Sequence, residues 1–111
     1  MDSRLLWGTV DMLVLDVISR GPNYGYQITQ LVTAQSKGRF DLKEGSLYPA
    51  LHRLERRKLL SAYWVDPDEG RRRKFYKISA AGRKELAEMR NNWAAFTDGV
   101  SGVLGAEREL A

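Results

Sequence analysis

Apolar and polar positions alternate along this 111-residue chain in a pattern that predicts short helices first and a β-hairpin later. Residues 4–20 are apolar at most positions, too densely for a helix with one narrow apolar stripe, so we expect a first helix buried on more than one side. The Gly-Pro pair at 21–22 ends it, and Asn23 is placed to cap a second helix over residues 24–36, which Lys37 and a glycine end.

Residues 44–58 predict a third helix, because leucines recur along it at helical spacing. Its start is open between two alternatives. If Ser46 caps the helix, Pro49 falls in the first turn, where its missing N–H has no intrahelical role. If the helix begins at Lys43, Pro49 costs a hydrogen bond and bends it. One face carries Leu47, Leu51 and Leu54, and the far face carries Gly45, Pro49, His52 and Arg56, flanked by Ser46, Arg53 and Tyr48.

The second half of the chain predicts a hairpin and a long helix. Residues 59–65 and 71–78 read as two strands joined by a Pro- and Gly-containing turn at 66–70. Ser79 can cap the helix that follows. Its apolar residues recur at spacings of three and four, the heptad pattern of a helix–helix seam. This pattern fits packing on the chain's own core or on a partner helix, and the small preceding elements favour dimerisation through the C-terminal seam, which consists of Leu86, Met89, Trp93, Phe96, Val100 and Val103.

The order of elements predicts a mainly α fold with a small β-hairpin, namely a winged helix-turn-helix over residues 1–78 and a C-terminal dimerisation helix over 79–111. We see neither a signal peptide nor an apolar run long enough to span a membrane, so we expect a cytoplasmic protein without a membrane partner. The chain has no cysteine and one histidine, which argues against a metal site, a cofactor and an enzyme.

Positive charge is concentrated in the middle of the chain. The formal net charge is +4, but residues 37–77 hold twelve basic and six acidic side chains, while the segments on either side are each slightly acidic. Such clustering is typical of a polyanion-binding surface, although a solvated charged face is the alternative. We interpret Arg57 and Lys58 as solvated. The side chains from Arg71 to Lys74 must alternate faces along a strand, so not all of them can contact one partner. Two basic groups on each face fit a strand laid along a phosphate backbone. The alternative is that their charge prevents an exposed hairpin edge from pairing with other strands.

Three sequence blocks resemble the PadR-like transcriptional regulators: NYGY at 23–26, EGSLYPALHRLE at 44–55 and GRRRKFYKISAAGR at 70–83. The resemblance spans roughly residues 5–105 and is closest to the short subgroup with a single C-terminal helix. It implies a homodimeric winged-helix protein, usually a repressor, on an inverted-repeat operator in double-stranded DNA. The family often has a glycine where this chain has Arg57-Lys58, which leaves the end of the third helix open.

The predicted DNA-binding residues combine the outward groups of the third helix with positions that the resemblance implies. The resemblance places Tyr24, Tyr26, Ser46, Tyr48 and Pro49 at or near DNA, and Arg72 and Lys74 in the wing. The full predicted set is Tyr24, Tyr26, Lys43, Ser46, Tyr48, Pro49, His52, Arg53, Arg56, Arg71, Arg72 and Lys74.

The resemblance also implies a small-molecule effector, because some short members of the family bind flat aromatic compounds between paired tryptophans at the dimer interface. Trp93 is placed as those tryptophans are, although core packing is the common role of such a residue. Leu5, Gly8 and Met12 would form the other wall of this site, and Asp11 would favour a cationic compound, as in multidrug sensing. The competing interpretation of the whole chain is a small-molecule-binding or protein-interaction module that does not read an operator.

Overall fold

The protein is mainly helical, with a small antiparallel sheet that completes a winged helix-turn-helix. The computed structural model describes residues 9–67 and 70–110, with side chains up to residue 105. The elements in chain order are α1 (Val10–Ser19), β1 (Asn23–Tyr24), α2 (Gly25–Gln35), α3 (Glu44–Arg56), β2 (Leu60–Val65), β3 (Arg73–Ile78) and α4 (Ala80–Leu110). The predicted fold class and the predicted hairpin are confirmed. Residues 4–8 of the predicted first helix lie outside the described residues.

A third strand, which the sequence did not indicate, joins the hairpin. The strand order is β1-β3-β2, and Asn23 and Tyr24 pair with Tyr76 and Phe75. The prediction that Asn23 caps α2 is therefore wrong: Tyr24 precedes the helix in an extended conformation and makes no side-chain capping bond. A strand of two residues is too short to show an alternating pattern, so only the pairing with β3 reveals it.

Helix α3 begins earlier than a Ser46 cap would require. Lys43 is the residue before its first turn, which makes Ser46 the third helical residue and puts Pro49 inside the helix. Pro49 has no N–H, so the carbonyl of Gly45 loses its intrahelical donor. Both residues are exposed. Water or a ligand can therefore satisfy that carbonyl.

The end of α3 resolves the question that the missing glycine raised. Lys58 adopts a left-handed conformation with φ of 62°. The Lys58 N–H donates to the Glu55 carbonyl and the Leu59 N–H to the Leu54 carbonyl, both at 2.9 Å. These two bonds form the helix-ending motif that usually contains glycine at this position. Lys58 adopts the same left-handed conformation here, which is energetically unfavourable for a residue with a Cβ.

The core lies between α1, the leucine face of α3 and the inner face of the sheet. Helix α1 contacts α2, α3, α4 and β3, as its dense apolar pattern predicts. Burial of the leucine face of α3 away from water is the main force that orients this helix. The largest fully buried side chains are Val14, Leu15, Ile18, Ile28, Leu47, Leu51 and Leu54.

Helix α4 starts against the core and then leaves it. The Ser79 hydroxyl accepts the Gly82 N–H at 3.0 Å, which confirms the predicted cap. Leu86 is 6% exposed and Met89 packs against the core, so the prediction that these two residues of the C-terminal seam lie in the dimer interface is wrong: they belong to the chain's own core. From Trp93 onward the helix runs beyond the core, and the chain measures 63 × 28 × 20 Å.

Candidate nucleic-acid interface

The side of α3 opposite its leucines forms an exposed ridge of Gly45, Pro49, His52 and Arg56. The geometry follows from the helical repeat, because burial of the leucine face forces the residues half a turn away into solvent. Within the described part of the chain, neither His52 nor Arg56 has a side-chain hydrogen bond or ion pair. Imidazole and guanidinium groups in this position are free to reach base edges and phosphates.

One edge of the ridge is tied to α1 by an ion pair. The Arg53 guanidinium donates to both carboxylate oxygens of Asp11, with Nη2–Oδ1 at 2.7 Å and Nε–Oδ2 at 3.4 Å. The hydrogen bond to Asp11 raises the pKa of Arg53 above its ordinary value. The prediction that Arg53 points outward with His52 and Arg56 is corrected: its charged end lies on α1.

The opposite edge of the ridge faces the sheet. Glu55 pairs with Lys74 of β3, at 3.5 Å between Oε1 and Nζ. The Lys74 ammonium also lies 5.4 Å from the ring centroid of Tyr76. Burial raises the pKa of Tyr76, and the charge of Lys74 opposes that rise. Lys74 was expected to point from the wing toward DNA, but its ammonium contacts α3 and the inner face of the sheet.

Tyr48 lies on the same edge of α3, across the first residue of α2. A Cβ added to Gly25 would stand 2.7 Å from the Tyr48 hydroxyl oxygen, so the glycine makes room for this ring. Tyr26 projects from the next position and is 63% exposed. Tyr26 and Tyr48 are therefore exposed at neighbouring ends of α2 and α3, where the resemblance implies a DNA face.

Of the basic run of the hairpin, only Arg73 and Lys74 lie within β3, where they take opposite faces as predicted, whereas Arg71 and Arg72 precede the strand. Arg72 pairs with Asp66 at 2.7 Å, and its Cζ lies 4.9 Å from the Trp64 ring centroid. Arg71 is exposed and has no ion pair among the described residues. Among the described residues, the hairpin thus presents one arginine in an ion pair, Arg72, and one without an ion pair, Arg71, close to its turn.

An aromatic row on the outer face of the sheet was not predicted. Tyr24, Phe75 and Tyr63 come from three adjacent strands, and their ring centroids are 5.2 and 5.8 Å apart. Arg73 lies over Tyr24, with Cζ 4.6 Å from the ring centroid, and donates to its hydroxyl at 3.1 Å. Tyr24 is therefore held in the sheet. The spacing of Arg73 and Phe75, two residues apart, indicates that both lie on one face of a strand. It gives no sign that Tyr24 joins them, because that depends on the pairing of β1 with β3.

The remaining predicted cation, Lys43, pairs with Asp41 at 2.6 Å. Both side chains are largely exposed, and exposed pairs are worth only about 0–1 kcal/mol, so Lys43 can exchange this partner for a phosphate at small cost. The same holds for Arg72 with Asp66. Ser46 is exposed on the first turn of α3.

The distal part of α4 carries an exposed apolar strip, which consists of Trp93, Phe96, Val100, Val103 and Leu104. Trp93 is 44% and Phe96 63% exposed, and their ring centroids are 6.0 Å apart. Sequence reasoning did not include Leu104, which lies one residue beyond the last seam position.

The predicted aromatic-ligand wall is only partly within the described residues, because Leu5 and Gly8 lie outside them. Met12 packs against the core, and Asp11 already binds the Arg53 guanidinium. The expectation that Asp11 offers a free charge to a cationic compound is therefore corrected. In the described residues, no group of three metal-ligating side chains occurs, and no helix is long and apolar enough to cross a membrane.

Comparison with known proteins adds a family match. The model of the transcriptional regulator PadR-like family matches residues 14–88. An uncharacterized protein of Lysinibacillus sphaericus is 34% identical over 92 residues, which are 83% of this chain and 84% of that protein.

Solved structures agree with this match in fold and in length. A PadR family transcriptional regulator from Eggerthella lenta DSM 2243 is 32% identical with a TM-score of 0.80, covering 91% of this chain and 86% of that one. A transcriptional regulator from Clostridium thermocellum is 26% identical with a TM-score of 0.84, covering 91% and 95%. A PadR-like transcriptional regulator from Bacillus cereus strain ATCC 14579 is 28% identical with a TM-score of 0.78, covering 91% and 96%.

Proposed function

The chain belongs to the PadR-like family of transcriptional regulators, and from that premise we propose that it is a sequence-specific repressor that binds an inverted-repeat operator as a homodimer. The observation that carries this proposal is the exposed ridge of α3, on which His52 and Arg56 have no side-chain partner in the described part of the chain and stand over a fully buried leucine face. A DNA-binding regulator works beside the chromosome, so we expect it in the cytoplasm.

The ridge suits the major groove of double-stranded DNA. Arg56 can bond two acceptors of a guanine edge, and His52 can contact a base or a phosphate. The small Gly45 and Ser46 allow the first turn of α3 to approach the backbone closely, and the N–H groups of that turn attract phosphate. Lys43, Arg71 and Arg72 lie at the margins of the ridge and of the hairpin, where they would contact the flanking phosphates.

Dimerisation is supported by the exposed apolar strip of α4. Five large apolar side chains on one side of a helix that has left the core would be unfavourable in water, and a second copy of the same helix would cover them. Such a dimer would place two copies of α3 in successive major grooves, about 34 Å apart. Bound at a promoter, it would exclude the polymerase.

The DNA-binding proposal is tested by fluorescence anisotropy with a duplex selected by the protein from a random library. Arg56→Ala should relax the sequence preference at one position of each half-site, at a cost of about 1–3 kcal/mol. The matched control is Arg57→Ala, because Arg57 pairs with Glu85 at 3.0 Å. That variant should keep the preference. A wild-type protein that binds no duplex in a salt-dependent way would refute the function and favour a module that does not read DNA.

The dimer proposal is tested by sedimentation at several protein concentrations. Phe96→Glu adds a charge within the exposed apolar strip and should produce a monomer with unchanged helical circular dichroism. Asn91→Glu adds the same charge on the opposite side of α4, where Asn91 is exposed, and should remain a dimer. Two variants with the same self-association constant would contradict the proposed interface.

We further propose that the dimer responds to a flat aromatic compound stacked on Trp93, because Trp93 and Phe96 form an exposed aromatic pair. Binding of a planar dye should quench tryptophan fluorescence, and the affinity should fall in Trp93→Ala. Equal affinity in that variant would place the compound elsewhere. A compound that binds one spacing of the two α3 helices better than another would shift the dimer away from its operator-binding form.

A further inference from the structure

Two carboxylates stand at the two edges of the exposed ridge, and each holds one cation of the predicted DNA-binding set. Asp11 comes from α1 and binds Arg53 through both of its oxygens. Glu55 comes from α3 itself and binds Lys74 of β3. Both acidic side chains are only partly exposed, at 27% and 37%, which makes these pairs less solvent-screened than the Arg72–Asp66 pair.

We propose that Asp11 and Glu55 are positioning residues that set the DNA specificity of this protein by keeping Arg53 and Lys74 away from backbone phosphates. The inference rests on the proposed DNA-binding function and deepens it. His52 and Arg56, which have no side-chain partner within residues 9–67 and 70–105, then dominate recognition, while two cations that would bind any sequence are withheld.

The physical reason is that phosphate contacts carry affinity but no sequence information. Each phosphate that a cation neutralises releases counterions and makes the slope of log K against log[salt] more negative by about 0.9. A cation bound to a carboxylate must lose that partner before it can bind a phosphate, so its net contribution to binding any sequence is small. Withholding Arg53 and Lys74 therefore lowers non-specific affinity more than it lowers operator affinity.

The geometry of Arg53 makes Asp11 the stronger case. The Nε and Nη2 donors of Arg53 both point at the Asp11 carboxylate, so neither of these two N–H groups is available to a phosphate. The carboxylate belongs to α1, which is fixed by core packing. Arg53 consequently points along the protein surface at α1, although its position on α3 would let a free side chain reach the DNA backbone.

The experiment measures binding of a mixed-sequence 30-base-pair duplex and of the selected operator, by anisotropy across a series of potassium chloride concentrations. Asp11→Asn should make the salt slope on the mixed-sequence duplex more negative by about 0.9 per chain, which tightens that binding roughly eightfold per chain, or about sixtyfold for a dimer, at 0.1 M salt. The ratio of operator to mixed-sequence affinity should fall. Glu55→Gln should act in the same direction through Lys74. It also serves as the second test should Asp11→Asn fail to fold, which circular dichroism reports.

Two controls separate release of Arg53 from a general change in charge. Asp16→Asn makes the same charge change on α1, but Asp16 pairs with Arg20 and Arg90, away from α3. This variant should keep the wild-type slope. The double variant Asp11→Asn with Arg53→Gln should return to the wild-type slope, because the released cation is then absent.

The proposal is overturned if folded Asp11→Asn and Glu55→Gln keep the wild-type slope, or if Asp16→Asn steepens it equally. Either result leaves the proposed function intact, since the wild type still binds DNA. Absence of any salt-dependent binding by the wild type would overturn both, and the two failures are thereby distinguishable.

Discussion

Gly82→Ala should destabilise this protein, although alanine is normally the better helix residue. Gly82 lies in the first turn of α4, directly over the junction between α3 and β2. A Cβ built there would stand 2.6 Å from Ile78 Cγ1 and 3.1 Å from the Leu59 carbonyl carbon, and closer still to the Leu59 carbonyl oxygen. Carbon atoms pack at about 3.5–4.0 Å, so the Ile78 atom would have to retreat by about 1 Å.

The loss of stability in Gly82→Ala depends on the hydrogen bonds made at the Leu59 carbonyl. The Leu59 carbonyl accepts the Ser79 N–H at 3.0 Å, and the single proton of the Ser79 hydroxyl is shared between the Lys58 carbonyl at 2.8 Å and the Leu59 carbonyl at 3.1 Å. Overpacking costs about 1–3 kcal/mol, and two weakened hydrogen bonds cost up to about 1 kcal/mol each. Helix propensity returns about 1 kcal/mol. We therefore expect the free energy of unfolding to fall by about 2–3 kcal/mol, which lowers Tm by about 10 °C or more for a domain of this size.

The assay is urea and thermal unfolding followed by circular dichroism at one fixed protein concentration, because the Tm of any protein that self-associates depends on its concentration. Gly102→Ala is the control in the same helix. A Cβ at Gly102 meets nothing within 4 Å, so this variant should gain up to about 1 kcal/mol. A Gly82→Ala protein as stable as the wild type would refute the reasoning, because it would mean that α4 does not sit tightly on the Leu59 carbonyl.

Three further predictions concern single residues. Lys58→Gly should raise the free energy of unfolding by about 1 kcal/mol, because φ is 62° there and glycine adopts this conformation without strain. Lys84→Gly, inside α4, is the control and should lower it by about as much. Equal effects of the two substitutions in urea unfolding would contradict this. Gly25→Ala should displace the Tyr48 ring and weaken DNA binding in anisotropy with little change in Tm; unaltered affinity would remove Tyr48 from the interface. Burial raises the pKa of Tyr76, so the folded chain keeps that proton longer than the unfolded chain, and stability should fall as pH rises above about 10. Tyr76→Phe should flatten this fall in pH-dependent unfolding, and an equally steep fall would contradict the assignment.

Local sequence pattern determined the main elements of this protein. Leucines three and four residues apart give α3 one face that must leave water, and this also decides that His52 and Arg56 are exposed. The Ser79 cap depends on contacts within one helical turn, so it could be predicted without any tertiary information. The hairpin and the long final helix likewise follow from residue types and spacings close together in the chain.

Only the tertiary structure decided which charged and apolar groups remain free. Asp11 and Arg53 are 42 residues apart, and β1 reaches β3 across an even longer separation, so no local pattern connects them. The even heptad spacing of α4 did not reveal that Leu86 enters the core while Trp93 leaves it. Periodicity specifies which side of an element a residue occupies, whereas the partner on that side depends on how distant segments pack, and this packing is what separates a cation held by a carboxylate from one available to DNA.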